Sequence, residues 1–263
     1  MNIIVCMKQV PAAATASIDP LTKTIVRTGH NAVTNPFDLY ALQTALDIKK
    51  QAHGNVTAIT MGIPAAEKVL RDAISRGADN GALLSDRTFA GSDTLATSYA
   101  LSLGIEKLGN ADLIICGKMA VDGDTAQIGP ELAQHLGIPH ISDVCEILEI
   151  SPNHLVVRRV WDDVEQELSL PLPALITVVK GKNLPQLPTI PGMLRGRAAQ
   201  IPTFTAEMLQ ADVERCGLKG SPTQVVRTFT PPMRGQAKTI DGNETQQASQ
   251  LAEIIREVLH GNN

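Results

Sequence analysis

Residues 112–137 read Asp-Leu-Ile-Ile-Cys-Gly-Lys-Met-Ala-Val-Asp-Gly-Asp-Thr-Ala-Gln-Ile-Gly-Pro-Glu-Leu-Ala-Gln-His-Leu-Gly. Residues 113–116 form an unbroken apolar run closed by Gly117, the composition of a parallel strand covered on both faces. From about Thr125 the apolar spacing becomes fourfold, through Ile128, Leu132 and Leu136, and Gly137 follows as a stop. This pattern predicts an amphipathic helix. The segment between is therefore a strand-to-helix turn, and open α/β sheets bind ligands in the crevice that such turns line. Asp124 or Thr125 is the expected cap, and the free N–H groups of the first helical turn favour an anion such as a phosphate. Gly117, Gly123 and Gly129 leave room for a ligand to approach the backbone. A helix beginning at Thr125 would enclose Pro130 and lose one hydrogen bond there. The three glycines are spaced neither as GxGxxG nor as a P-loop, which weakens dehydrogenase and NTPase readings. Pattern alone leaves an ordinary strand–turn–helix with a flexible glycine turn equally open.

Upstream, residues 3–7 read as a first strand running into Lys8-Gln9-Val10-Pro11, and residues 19–27 as a small excursion with a hairpin. Asn35-Pro36-Phe37-Asp38 opens a helix, with Asn35 as cap, Pro36 at the first position and Asp38 complementing the dipole. A strand follows at 56–61, a helix at 65–76, a strand at 82–84, and a helix capped within 91–94 that carries Leu95, Tyr99 and Leu103. This alternation predicts a parallel sheet with right-handed crossovers and helices on both faces. Its strand ends gather residues 6–9, 61–62, 85–86 and 117–118 along one edge, the candidate site. Downstream, residues 142–150, 155–161, 165–170 and 174–179 are strand-like and suit added antiparallel strands. Residues 181–202 hold too many prolines and glycines for regular structure, and 217–235 are irregular before a final helix at 245–259. The expected division is an α/β domain over 1–200 and a C-terminal arm with a helix over 201–263.

Composition narrows the function. Aromatic residues are only 3% of the 263, which leaves little for stacking single-stranded nucleic acid, and the net charge of −4 argues against a general nucleic-acid or membrane-surface binder. Cys6, Cys116, Cys145 and Cys216 are scattered with no CxxC pair and read as reduced core thiols of a cytoplasmic protein. No apolar run approaches the ~20 residues of a membrane span. The six histidines lack HExxH spacing, so a metal site is not expected, and no GxSxG marks a hydrolase elbow. Asp122 and Asp124 can do acid–base work, but an aspartate pair in a glycine turn more often shapes it. Ser92, Thr94 and Thr97, at a helix start, are candidates for a phosphate, although capping explains Ser92 equally well. No catalytic residue is assigned.

Taken together, Val5-Cys6-Met7-Lys8-Gln9-Val10-Pro11, Asn35-Pro36-Phe37-Asp38, Arg76-Gly77-Ala78-Asp79, the whole of 117–129 and, more loosely, 183–196 resemble the beta subunit of electron transfer flavoproteins. The resemblance runs through nearly the whole chain in order. It implies a Rossmann-like adenine-nucleotide-binding fold and an obligate FAD-bearing alpha subunit as partner. It also implies a nucleotide held here, AMP in ordinary members and a second FAD in electron-bifurcating ones. The matching nucleotide positions are Cys6, Asn35, Pro36, Phe37, Asp38, Met61, Gly117, Lys118, and Val121, Asp122, Gly123, Asp124, Thr125, Ala126, Gln127 and Ile128. They coincide with the strand-end edge read from pattern. The segment 183–196 resembles the loop by which the family recognises a flavin-containing dehydrogenase, with Ile190 in the place of its aliphatic anchor. It departs where Asn183-Leu184-Pro185-Gln186 stands for Asn-Glu-Pro-Arg, losing two charges.

Within the loop, Asp-Gly-Asp-Thr-Ala-Gln resembles the bifurcating members, whereas AMP-binding ones carry bulkier polar residues in place of Gly123, Thr125 and Ala126. That implies FAD rather than AMP. It further implies NADH as electron donor, its phosphate near Ser92, Thr94 and Thr97, and ferredoxin or flavodoxin as low-potential acceptor. Two counter-readings stand beside this one, a non-bifurcating subunit with AMP and a stand-alone nucleotide sensor of the same fold. Asp122 and Asp124 oppose a bound diphosphate unless they turn away or bind ribose hydroxyls.

Overall fold

A computed structural model describes residues 1–12, 32–181, 184–226 and 239–260. The predicted excursion at 19–27 lies outside them. The chain divides into two compact units, Met1–Val226 and Arg227–Asn263. In the first, β1 (Asn2–Cys6) is followed by a short ladder of β2 (Gln9–Pro11) against β3 (Ala32–Thr34), then α1 (Pro36–Ala52), β4 (Asn55–Met61), α2 (Glu67–Arg76), β5 (Asn80–Leu84), α3 (Thr94–Leu108), β6 (Leu113–Gly117) and α4 (Ile128–Leu136). Next come β7 (His140–Ile150), β8 (His154–Trp161), β9 (Val164–Pro171), β10 (Ala174–Val178), α5 (Ile190–Ala198) and β11 (Thr203–Phe204). One sheet runs β11-β5-β4-β1-β6-β10-β7-β8-β9. It is parallel from β11 through β7, with β8 and β9 added antiparallel. The expected antiparallel extension is thus made by β8 and β9, whereas β10 slots in parallel between β6 and β7.

Strand alternation builds two cores. Ile3, Val5, Leu113, Ile115 and Ile176 face α1 and α2, where Leu42, Leu46, Leu70 and Ile74 meet them. Ile4, Cys6, Ile114, Cys116 and Leu175 face the other way, onto Tyr99, Leu101, Ile105, Leu132 and Ala133 of α3 and α4. Burying one such Leu or Ile stabilises by about 1.5–3 kcal/mol, which is why the near-continuous apolar strands belong in the sheet centre.

Several elements depart from expectation for identifiable reasons. α4 starts at Ile128, three residues later than the fourfold pattern suggested, and neither Asp124 nor Thr125 caps it. Pro130 thereby falls in the first turn, where a missing N–H costs nothing. Gly137 ends the helix in the left-handed region at φ 65°. Within 181–202, α5 is a regular helix despite its glycines: Thr189 caps it onto Gly192 N–H, and Pro191 lies in its first turn. The glycines serve packing, because a Cβ on Gly192 would strike Ser75 O and one on Gly196 would strike the Ser75 side chain of α2. Arg71 Nη1 donates to the carbonyls of Gly196 and Arg197, and Arg195 Nη2 to Ile74 O, fastening α5 along α2.

The first unit also extends past residue 200, where the arm was expected to begin. β11 pairs with β5, and Ser221 Oγ accepts from Asp93 N while Thr223 N donates to Asp93 Oδ2. In the second unit α6 (Glu244–His260) carries Leu251, Ile254, Ile255, Val258 and Leu259, all exposed, at amphipathic spacing.

Candidate functional site

The strand order reverses between β1 and β6: the chain leaves β1 toward β4 and β5 on one side, then returns to place β6 and β10 on the other. In open α/β sheets such a point, beyond the strands' carboxyl ends, is where ligands bind. Cys6, with Lys8 beyond it, and Cys116, with Gly117 and Lys118, flank it; Met61 ends the neighbouring β4. Of the residues predicted for the strand-end edge, those ending β1, β4 and β6 thus stand side by side, whereas 85–86 follow β5, two strands from β1, and bond to Phe204 and Ala206.

Asn35 and Asp38 take a part that the sequence did not suggest. Asn35 stands at the N-cap position of α1 but makes no cap. Its Nδ2 donates instead to Asp38 Oδ1 at 2.8 Å and to Met119 O at 2.9 Å, and its Oδ1 accepts from Val121 N at 3.2 Å. Asp38 Oδ2 accepts from Lys8 N at 2.7 Å, and the Gly117 N–H also points at this carboxyl. Both side chains are buried. They tie the end of β1, the start of α1 and the loop after β6 into one latch. Burial pushes the Asp38 carboxyl up to about 7, against the opposite pull of Asn35, Lys8 and Gly117. Gly117 is required beside it, since a Cβ there would collide with Asp38 and Phe37. Pro36 is exposed and Phe37 half-buried next to this latch.

Beyond Val121 the loop turns outward, and residues 123–127 are all exposed. Asp122 is the exception, its side chain only 6% exposed and its Oδ1 2.6 Å from Lys8 Nζ. The ion pair offsets the Asp122 charge within the loop. Lys118 makes a second pair across the strand ends, 3.1 Å to Asp143. Asp124 and Ala126 both hold positive φ, 51° and 55°. For Ala126 that conformation costs about 1–2 kcal/mol, the kind of local strain retained at ligand-binding loops. α4 begins with Gln127 at its cap position and no side-chain cap, which leaves its first N–H groups facing the loop. Gly129 lets this helix end lie against β10, where a Cβ would strike Thr177.

The second helix start is partly recruited. Thr94 Oγ1 donates to Glu131 Oε1 at 3.0 Å and lies 3.3 Å from Gln127 Oε1, so it meets the end of the loop. Ser92 is committed elsewhere: its hydroxyl donates to Phe89 O and accepts from Gly217 N. Thr97 N bonds Asp93 O within the first turn of α3, whose cap is Asp93. Ile190 is not brought to this loop; it stands 77% exposed at the start of α5, which packs on α2.

A family profile described as the electron transfer flavoprotein domain matches residues 22–209. This chain belongs to the electron transfer flavoproteins, as a beta subunit. It is 39% identical over 257 residues to an electron transfer flavoprotein subunit beta of Clostridium acetobutylicum, covering 98% of both chains. It is 41% identical to the protein FixA of Azorhizobium caulinodans, covering 97% of this chain and 94% of that one. It is also 40% identical to subunit CarD of the caffeyl-CoA reductase–Etf complex of Acetobacterium woodii, over 98% of each. A beta subunit of this family works in flavin-linked electron transfer alongside an alpha subunit, and no helix among the described residues is long and apolar enough to cross a membrane.

The electron transfer flavoprotein assignment makes Gly123 a direct test of the loop. Its φ lies outside the left-handed region and a Cβ there meets nothing within 4 Å. Gly123→Val is therefore expected to fold normally, with Tm within about 4 °C of wild type, while losing bound nucleotide. Equal nucleotide content in the purified variant would move the site away from this loop.

Proposed function

We propose that this beta subunit holds FAD in the crevice between β1 and β6 and, with its alpha subunit, takes electrons from NADH by flavin-based bifurcation. One electron of each pair goes to a low-potential acceptor, ferredoxin or flavodoxin, and the other through the alpha subunit's FAD to a partner dehydrogenase. The observation that carries this reading is the loop itself: exposed, small at Gly123, Thr125 and Ala126, and freed of the Asp122 charge by Lys8. A flavin in that place supplies hydride acceptance and one-electron release. The chain's own residues bind and orient it. The latch fixes the height of residues 117–121, and the first-turn N–H groups of α4 contribute to diphosphate binding, about 0.3–1 kcal/mol per favourable charge. Of the predicted trio, Thr94, whose hydroxyl meets Gln127 and Glu131, is the one this reading assigns to a nicotinamide-nucleotide phosphate.

The test is to denature the purified heterodimer and quantify released nucleotides by chromatography. Two FAD per heterodimer and reduction by NADH are expected. One FAD plus one AMP would sink the bifurcating reading and leave the family assignment standing.

The same proposal gives α5 the role of dehydrogenase docking, with Ile190, Met193 and Leu194 as its exposed apolar face, and gives α6 the role of packing on the alpha subunit in the cytoplasmic complex. The Acetobacterium relative, by its name a subunit of a reductase–Etf complex, supports docking to an enzyme of that kind. Ile190→Ala is expected to weaken dehydrogenase docking by about 1–3 kcal/mol, the range of an interface hot spot, with flavin content unchanged. Steady-state electron delivery at varied dehydrogenase concentration reads it out; a fall in flavin content with docking intact would reassign the helix.

A further inference from the structure

Cys6 and Cys116 are register partners on the adjacent parallel strands β1 and β6. Both side chains belong to the core on the α3/α4 side, both are free thiols, and they lie within hydrogen-bonding reach of each other. Neighbouring strands are about 4.8 Å apart, inside the ~4.4–6.8 Å range of Cα separations that a disulfide spans. The pair is nearly but not wholly covered, 7% exposed at Cys6 and 4% at Cys116. Each thiol stands at the last or next-to-last position of its strand, directly before Met7 and Lys8 on one side and Gly117 and Lys118 on the other.

The geometry points to Cys6 and Cys116 as a modification site, a dithiol in the core at the carboxyl ends of β1 and β6 that a small peroxide converts to an intramolecular disulfide. The electrons and atoms balance in two steps. Cys6, the more exposed thiol, attacks the O–O bond of hydrogen peroxide, giving a sulfenic acid and one water. The Cys116 sulfur then attacks the Cys6 sulfur, and the sulfenic hydroxyl leaves with the Cys116 proton as a second water. The two cysteines lose two electrons and the peroxide gains them. Hydrogen peroxide is also what a reduced flavin releases on meeting oxygen, so the oxidant arises where this family operates. The adjacent Cys6 thiol and burial hold the Cys116 proton more tightly than in a free thiol, which keeps the pair reduced until a neighbouring sulfur is activated. Once linked, the ends of β1 and β6 are joined across the switch point.

The test uses the intact heterodimer, prepared anaerobically and titrated with hydrogen peroxide until the half-buried Cys145 is oxidised. It is then quenched with N-ethylmaleimide in denaturant, digested with trypsin and analysed by mass spectrometry. The expected product is peptide 1–8 linked to peptide 108–118 in more than half of the molecules, released by dithiothreitol. In Cys116→Ser, the Cys6 peptide is expected instead to carry a sulfenic acid, trapped by a 1,3-dione. Recovery of peptides 1–8 and 108–118 as separate alkylated species while Cys145 is oxidised would overturn the proposal. So would oxidation of either cysteine to sulfinic acid without a link.

Discussion

Asn35→Ala is expected to cost about 2–4 kcal/mol of stability and most of the bound nucleotide. The substitution removes both donor bonds of Nδ2 and leaves Met119 O, Val121 N and Asp38 Oδ1 short of partners, each costing about 1–3 kcal/mol where it stays dry. Urea midpoints and nucleotide content per heterodimer measure the two effects, and full nucleotide retention would show that the latch does not set the loop. The same latch has a pH signature. The Asp38 carboxyl keeps its proton up to about 7 when folded, against an ordinary value of 3.8. Its contribution is therefore complete below pH 4 and disappears as pH rises through 7, a loss on the order of 4 kcal/mol. Asp86, held low by the Thr88 and Ala206 N–H groups, works in the opposite sense, its stabilisation present above pH 4 and lost on acidification. Asp38→Asn is expected to flatten the decline between pH 5 and 7; an unchanged slope would remove Asp38 as its source.

Gly192→Val is expected to unseat α5. Even a Cβ at this position would overlap Ser75 O, a backbone atom that cannot swing aside as a flexible side chain can. Overpacking of this kind costs about 1–3 kcal/mol, and α5 has few inward contacts besides its two glycines and the Arg71 and Arg195 bonds to resist it. Electron delivery to the dehydrogenase should fall by about tenfold or more, exceeding the effect of Ile190→Ala, because the whole apolar face shifts rather than one side chain. Nucleotide content should stay at wild-type level. Equal docking in the variant would mean that α5 is not the contact surface.

The sheet was legible because its signals are local. The apolar run at 113–116, the fourfold spacing through Ile128, Leu132 and Leu136, and Gly137 each report on their own few residues. The latch was not legible, because Asn35 meets Met119 across 84 residues and Lys8 meets Asp122 across 114. Asn35 and Asp38 looked like an ordinary helix opening, and only the fold reveals that both side chains turn inward. The helix α5 was missed for a different reason. Gly192 and Gly196 lower helix propensity, but their lack of a Cβ lets two backbones touch, and tertiary contact outweighed the local preference. The start of α4 was misplaced because Asp124 and Thr125 resemble caps, whereas they belong to a loop whose left-handed residues, Asp124 and Ala126, only the structure identifies.

The two borders of the sheet constrain how this subunit meets other proteins. One border is β11, only two residues long. The other is β9, which carries Glu165 and Glu167, ends in Pro171, and has Glu167 engaged with Arg158 of β8. A short border and an acidic, proline-ended one offer a poor template for strand addition by a second chain. Assembly with a partner subunit must then rest on side chains presented by helices and loops rather than on shared backbone hydrogen bonds, so contacts can form and release without the sheet being extended or re-registered.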